Sequence, residues 1–213
     1  MNRLLVRNRT ALWVSLLALV LCFLAWCGFA RPSLTITSPK SGVIVHPGEF
    51  IRVKVRATPY LRFRLVMIAG SPAVECGGAE LWPPFHFTVK VSDKAGPGAV
   101  NIVAEGTTGP GGLHSSEPVT LFIDVKVAPK SLKIEPDSVF ARVGETVHLR
   151  VIAMFMPFGN RDLDGFPGVS FASKDPGIAS VSEDGTIRGH GAGSTLVTVK
   201  YKGTKAEIPV EVR

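Results

Sequence analysis

The punctuation of the carboxy-terminal part constrains this chain most. From Val143 it reads VGETVHLRVIAMF, then FASKDPGIASVSEDGTIRGHGAGSTLVTVKY from Phe171 to Tyr201, and it closes on the alternating run AEIPVEV. Apolar and polar residues alternate over short stretches, and Gly, Asp, Asn or Pro interrupts them about every eight to twelve residues. A period of two places one set of side chains on each face of a strand, and turn residues at this spacing fold the strands back on one another. That is how a β-sandwich is written. Helix signals are nearly absent after residue 30.

The same alternation runs through the preceding part. In FIRVKVRA, Ile51, Val53 and Val55 point one way, and Arg52, Lys54 and Arg56 the other. Phe63, Leu65 and Met67 alternate with Arg62 and Arg64, and Phe85, Phe87, Val89 and Val91 with His86, Thr88 and Lys90. GAVNIVAEGT from Gly98 and VTLFIDVKV from Val119 supply further strands, and GTTGPGGLHSSEP between them reads as a turn-rich loop. The 213 residues accommodate two sandwiches of roughly 90–100 residues each. The expected units are 32–127 and 130–213, joined at Val127-Ala128-Pro129-Lys130, where Pro129 stiffens a short linker into a semi-rigid joint.

Residues 1–30 read differently. Arg3, Arg7 and Arg9 precede an uncharged apolar run from Ala11 to Ala30, the pattern of an export signal whose basic end stays in the cytoplasm. Gly28-Phe29-Ala30 is a small-x-small cleavage site, while an apolar run of about 20 residues is long enough to span a bilayer. Cleavage and retention as a signal anchor both fit. A lipoprotein reading through Cys27 is disfavoured by the bulk of Trp26. Beyond this segment the only cysteine is Cys76, so no internal disulfide is expected, and Cys76 reads as either a buried small apolar residue, the favoured reading, or a free thiol. The net charge of +7 is partly the basic terminus, and the mildly basic remainder says little about partners by itself.

The closing segment resembles the bacterial immunoglobulin-like group 2 domain. SLKIEPDSVFARVGETVHLRV is similar to the family opening, and Ser173, Pro176, Ile178, Ala179, Val181, Gly185, Ile187, Gly189, Gly193 and Val197 fall on the family's core pattern. Phe171 stands where the family usually carries Trp. Residues 32–127 resemble exported bacterial Ig-like modules more loosely, through SPKSG, PGE, PPF and GPG ahead of their strands. The implied architecture is all-β: two tandem Ig-like β-sandwiches after an N-terminal hydrophobic signal or anchor helix. The implied role is a non-enzymatic binding or display module, exported to the periplasm or cell surface or held at the membrane, as in intimin- and invasin-like surface proteins. Expected partners are an envelope protein or a polysaccharide, and the membrane itself through the first segment if it is uncleaved; no nucleic acid is expected. The alternative is a structural stalk or assembly subunit without a ligand of its own. The chain lacks the long repeat array and barrel of the large adhesins.

Candidate ligand residues are few. Arg52, Lys54, Arg56, Arg62 and Arg64 would share one outer face if their two strands pair, offering a dock for an anionic polymer or headgroup; the bland reading is a solvated face that discourages edge pairing. Trp82, in Trp82-Pro83-Pro84-Phe85, is a candidate for stacking on a sugar ring, although prolines at a strand start favour Trp82 as a cap on the core. Asn160-Arg161-Asp162-Leu163-Asp164-Gly165 looks like the front half of an EF-hand loop, but its twelfth position is Phe171 rather than Glu, and no flanking helices are apparent. The glycines at 189, 191 and 193 lack the strand-before, helix-after setting of a phosphate loop. The five histidines are scattered singly, and no nucleophile elbow is present. No catalytic residue, metal site or cofactor is assigned.

Overall fold

The structure, a computed structural model, describes residues 31–58, 62–109 and 112–213. The export reading of residues 1–30 lies outside this range. All twenty elements among the described residues are β-strands, and no helix there is long and apolar enough to cross a membrane.

The first ten strands are β1 (Ser33–Ser38), β2 (Val43–Val45), β3 (Phe50–Thr58), β4 (Phe63–Gly70), β5 (Val74–Cys76), β6 (Ala79–Glu80), β7 (Phe85–Val91), β8 (Gly98–Thr108), β9 (Gly112–Ser115) and β10 (Val119–Ile123). They form two sheets, ordered β1-β3-β7-β5 and β2-β10-β8-β4-β6, with β9 added to β8. The first order is the ABED sheet of an immunoglobulin sandwich, and β10-β8-β4 is its GFC sheet. Between them lies a core that includes Val53, Val66, Phe85, Phe87, Val89, Ile102 and Leu121. Along β3 the burial alternates without a fault, Ile51, Val53, Val55 and Ala57 inward and the cations outward.

The second ten are β11 (Ser131–Glu135), β12 (Val139–Ala141), β13 (Thr146–His148), β14 (Arg150–Phe155), β15 (Gly159–Asp162), β16 (Ser170–Ser173), β17 (Ala179–Val181), β18 (Thr186–Gly189), β19 (Gly193–Tyr201) and β20 (Thr204–Val212). The sheet β12-β20-β19-β16 faces the ladders β11-β14-β15 and β13-β18-β17. Strands β13 and β14 are one stretch interrupted at buried Leu149, whose N–H donates across to the Gly185 carbonyl at 3.0 Å. The parallel pairing of β2 with β10 recurs as β12 with β20, so both halves repeat one sandwich plan. A second, separate core packs around Phe155, Leu149, Ile187, Val197, Val199 and Ile208.

The motif residues have structural reasons. Gly185 turns the β17–β18 hairpin at φ +82°, and a Cβ there would stand 2.9 Å from the Phe171 ring. Phe171 therefore closes over a backbone position that only glycine leaves open. Asp184 braces the same turn, accepting from the Ser182 hydroxyl and from the Thr186 N–H at 3.0 Å. Those bonds hold its carboxyl below the usual carboxylate range.

Several strand details differ from expectation. A bulge between Phe63 and Leu65 shifts the phase of β4, so Val66 and Ile68 are buried while Met67 is exposed. The Gly-rich stretch after Thr107 is not only loop: β8 runs on to Thr108, and β9 returns along it. The strand from Val119 ends at Ile123; the Asp124 N–H still donates to the Val45 carbonyl at 2.9 Å, while its carboxylate meets the second sandwich.

That meeting makes the joint more than a stiff linker. The Tyr201 hydroxyl donates to Asp124 Oδ1 at 3.2 Å. The Lys202 ammonium lies 2.6 Å from the same oxygen and also donates to the Val125 carbonyl. The Thr204 hydroxyl donates to the Pro129 carbonyl at 2.9 Å. Val125 is buried in the second core, and Phe122 meets Phe166 edge-on at 5.2 Å between centroids. Lys202 reaches the joint from the tight β19–β20 turn, where it holds φ +45° beside Gly203 at +83°, the backbone of a type I′ hairpin. A non-glycine residue in that region is uncommon, and here its side chain closes the clamp.

Burial first, then the Asp124 charge and hydrogen bond, push the Tyr201 phenol far above its ordinary range. In the unfolded chain it ionises near pH ~10. A folded state that keeps the proton is at full strength below that pH and loses stability as the pH rises beyond it. Denaturation midpoints measured from about pH 8 to 11.5 should fall at the alkaline end, and Tyr201→Phe should flatten the fall. An unchanged slope in that variant would remove Tyr201 as the cause.

Candidate functional site

The site is built on the outer face of the sheet β1-β3-β7-β5. Strand β3 sits between β1 and β7, and its outward residues Arg52, Lys54 and Arg56 lie beside Thr88, His86 and Thr35 respectively in the two ladders. Alternate residues stand about 6.7 Å apart along a strand, so the three cations form a regular row. All three are exposed. Among the described residues none of them has an ion-pair or hydrogen-bond partner for its charge. Lys90, lower on the same sheet, is different: Asp93 binds it at 2.5 Å and holds its proton more tightly.

Arg62 and Arg64 do not join this row. Strand β4 pairs with β8 and β6 in the opposite sheet, so the chain crosses between layers after β3 and carries the two arginines to the other side. The basic face that pairing of the two strands would have made is therefore split, with three cations on one sheet, Arg64 on the other and Arg62 just ahead of it.

Trp82 is 77% exposed, and neighbouring Leu81 57%. It does not cap the core; Phe85 and Phe87 fill that role from β7. Because Phe85 is opposite Val55, the segment from Pro84 back to Trp82 runs past Arg56 at the end of the sheet. A shallow groove of about 540 Å³ lies there, lined by Thr37, Lys54, Arg56, Pro83, Pro84 and His86. It combines an apolar proline wall with cationic and hydroxyl groups on the rim. This arrangement suits the apolar face of a ring that also carries negative charge.

Cys76 is also exposed rather than buried. Strand β5 is an edge strand, and beyond inward Val74 its remaining residues face solvent. Partial shielding of the sulfur pushes the thiol up, which makes it a poor nucleophile.

The second sandwich carries polar clusters without comparable form. Asp162 is taken by Arg150, at 2.7 Å from Nε and 2.6 Å from a terminal nitrogen, and Asp162 Oδ1 accepts the Asp164 N–H at 3.0 Å. The calcium-like stretch is thus a charged strand end and turn. Among the described residues no three His, Cys, Asp or Glu side chains gather as a metal set. Asp164, His148 and Thr186 form a chain at 3.1 and 3.3 Å, and Ser180 meets His190 at 2.8 Å. The His148 and Asp164 side chains are 47% and 50% exposed, whereas a proton relay works where water is excluded and oxyanion donors converge. Exposed Phe140 on β12 lies between two open grooves rimmed by both signs of charge.

No family model matches the chain, and no curated protein matches it. Among solved structures it is similar to the fibronectin(III)-like modules of CbhA from Clostridium thermocellum, at 18% identity and a TM-score of 0.36, covering 84% of this chain and 94% of that one. It is also similar to domains 4 and 5 of the S-layer protein SbsC, at 20% identity and TM-score 0.35, over 57% of this chain and 68% of that one. Drosophila N-cadherin EC1-4 matches at 18% identity and TM-score 0.30, over 84% and 49%. Sandwich folds of this kind serve many unrelated functions, and no activity follows from these likenesses. What the chain's own strand order defines is a pair of tandem Ig-like β-sandwiches.

Proposed function

We propose that the chain is an exported, non-enzymatic cell-envelope module, with domains at 32–127 and 130–213, that recognises an anionic polysaccharide or acidic protein surface. The observation that carries this is the unpartnered row Arg52, Lys54 and Arg56 beside the proline-walled groove and exposed Trp82. Three exposed cations held in register on one sheet present their charge together, and neighbouring hydroxyls of Thr35 and Thr88 add donors to the same face. The apolar run of residues 11–30 supports export. The glycines at 185, 189 and 193, all closely approached by neighbouring groups, support group 2 family membership for residues 130–213.

Binding of residues 31–213, which contain both cores, to a panel of charged and neutral cell-wall polysaccharides tests the reading. Arg52→Glu with Lys54→Glu should lower affinity for the charged members about tenfold or more, and salt should do the same. Binding that ignores both would sink it. The clamp at Asp124 favours a second reading, a stiff spacer in an envelope assembly. A protein partner that co-purifies while no polysaccharide binds would select that one.

A further inference from the structure

The end of the first sandwich remote from the second has a character of its own. Ser33 pairs with Thr58, so the chain enters β1 at the level where β3 finishes. Phe63 pairs with Thr108, so the start of β4 and the β8–β9 tip lie at that end too. Strand β6 runs antiparallel to β4, with Glu80 opposite Val66, and this direction carries Leu81 and Trp82 toward Arg64 and Phe63. The opposite end holds Ile123 and Gly98 and faces the second sandwich, where Gly96 approaches Phe158 and Arg161.

Two properties coincide at the remote end. Leu81, Trp82 and Leu113 are 57%, 77% and 67% exposed. The segments that build it, 31–38, 56–58, 62–65, 81–86, 106–109 and 112–115, contain no Asp or Glu, yet they bring Arg31, Arg56, Arg62 and Arg64. All four arginines are exposed. Exposed Trp and Leu ringed by arginine is the composition that settles at a bilayer interface, the aromatic at headgroup level and the cations on anionic phosphates.

The chain's own connectivity says what covers this surface. The uncharged run ends at Ala30, and β1 begins at Ser33. Three residues reach at most about 10 Å even when extended. If the run stays in the membrane, Ser33 stays within about 10 Å of the headgroups, and the side chains at this end decide whether it seats on them. We infer that the remote end of the first sandwich rests on an anionic bilayer surface, with Trp82, Leu81 and Leu113 at the interface and the arginines on lipid phosphates. This rests on the retained-anchor form of the export reading. In that form Arg56, Trp82 and the proline-walled groove face lipid, and only Arg52 and Lys54, on the side of the sandwich, stay open to a polymer running along the membrane.

The test uses the full chain with Trp13→Phe and Trp26→Phe, which makes Trp82 the sole tryptophan. The protein is reconstituted into vesicles of phosphatidylcholine alone, or with phosphatidylglycerol, each carrying lipids brominated near the headgroup end of the acyl chain. The expected result is that Trp82 emission shifts to the blue and is quenched in the anionic vesicles. The quench should be lost in Arg56→Glu with Arg64→Glu and kept in Arg52→Glu with Lys54→Glu. Unquenched, solvent-like Trp82 in a chain that floats with the vesicles would overturn the inference, as would a quench indifferent to phosphatidylglycerol and to both arginines. An emission shift produced only by added heparin would overturn it in favour of a glycan. A chain that fails to float removes the anchor on which it rests, and polysaccharide binding by residues 31–213 is read separately.

Discussion

Replacing Phe155 by alanine is expected to cost about 3–5 kcal/mol of stability. The ring is fully buried, the largest side chain that is among the described residues, and it lies at the end of β14 where the second core meets the joint. It packs edge-on against Tyr201 at 6.4 Å between centroids, and Tyr201 in turn carries the hydrogen bond to Asp124. Removing the ring therefore leaves a cavity and also frees the residue that anchors the clamp. A well-packed β-sandwich collapses poorly around such a void, since its sheets are held apart by the remaining side chains. Chemical denaturation should show a lower midpoint at unchanged slope. A loss below about 1 kcal/mol would mean that the core relaxes to fill the space.

Much of the architecture was legible in the alternation. Strand β3 needed only its own sequence, because Ile51, Val53 and Val55 face a core whatever they pair with. Strand β4 looked equally regular, but the bulge after Phe63 moved its inward set to Val66 and Ile68. A bulge is a property of two strands together, and one strand's sequence does not carry it. Pairing explains the larger miss as well. Arg52 and Arg64 lie on consecutive strands, and consecutive strands in a sandwich often cross to the other sheet. Only the partners, β7 for one and β8 for the other, decide the face.

Trp82 and Cys76 were misplaced for a related reason. Both lie on short segments around the edge strands β5 and β6, where intrinsic burial tendencies are overruled by the absence of a further strand alongside. The proline pair did end up where no ladder N–H is required, ahead of β7, but the tryptophan before it had nothing left to cover. The clamp gave no sign in sequence beyond Pro129. Asp124 stands far in the chain from the adjacent Tyr201 and Lys202, and all three look like ordinary turn and strand-end residues. The exposure of Trp82 is what turns a weak sequence hint into a surface with a direction.

The second large effect belongs to Phe166. Its ring is buried, and it stands between Phe122 of the first sandwich at 5.2 Å and Tyr201 of the second at 5.7 Å. The aromatic chain Phe122–Phe166–Tyr201 is the apolar part of the joint, and the Asp124 clamp is its polar part. Phe166→Ala should cost about 3 kcal/mol or more in the second sandwich, and it should also strip Phe122 of its cover. With the apolar part gone, the Lys202–Asp124 pair is left in contact with water, where an exposed ion pair contributes about 1 kcal/mol at most. That is too little to make two cores unfold as one. Calorimetry of residues 31–213 is therefore expected to show a single coupled transition in the wild type and two in Phe166→Ala, the first core melting near its original temperature. Asp124→Asn should lower the transition while leaving it single, since the ring stack remains. If Phe166→Ala still unfolds in one step, the two sandwiches are coupled through the linker backbone, and the aromatic stack is packing without consequence for the joint.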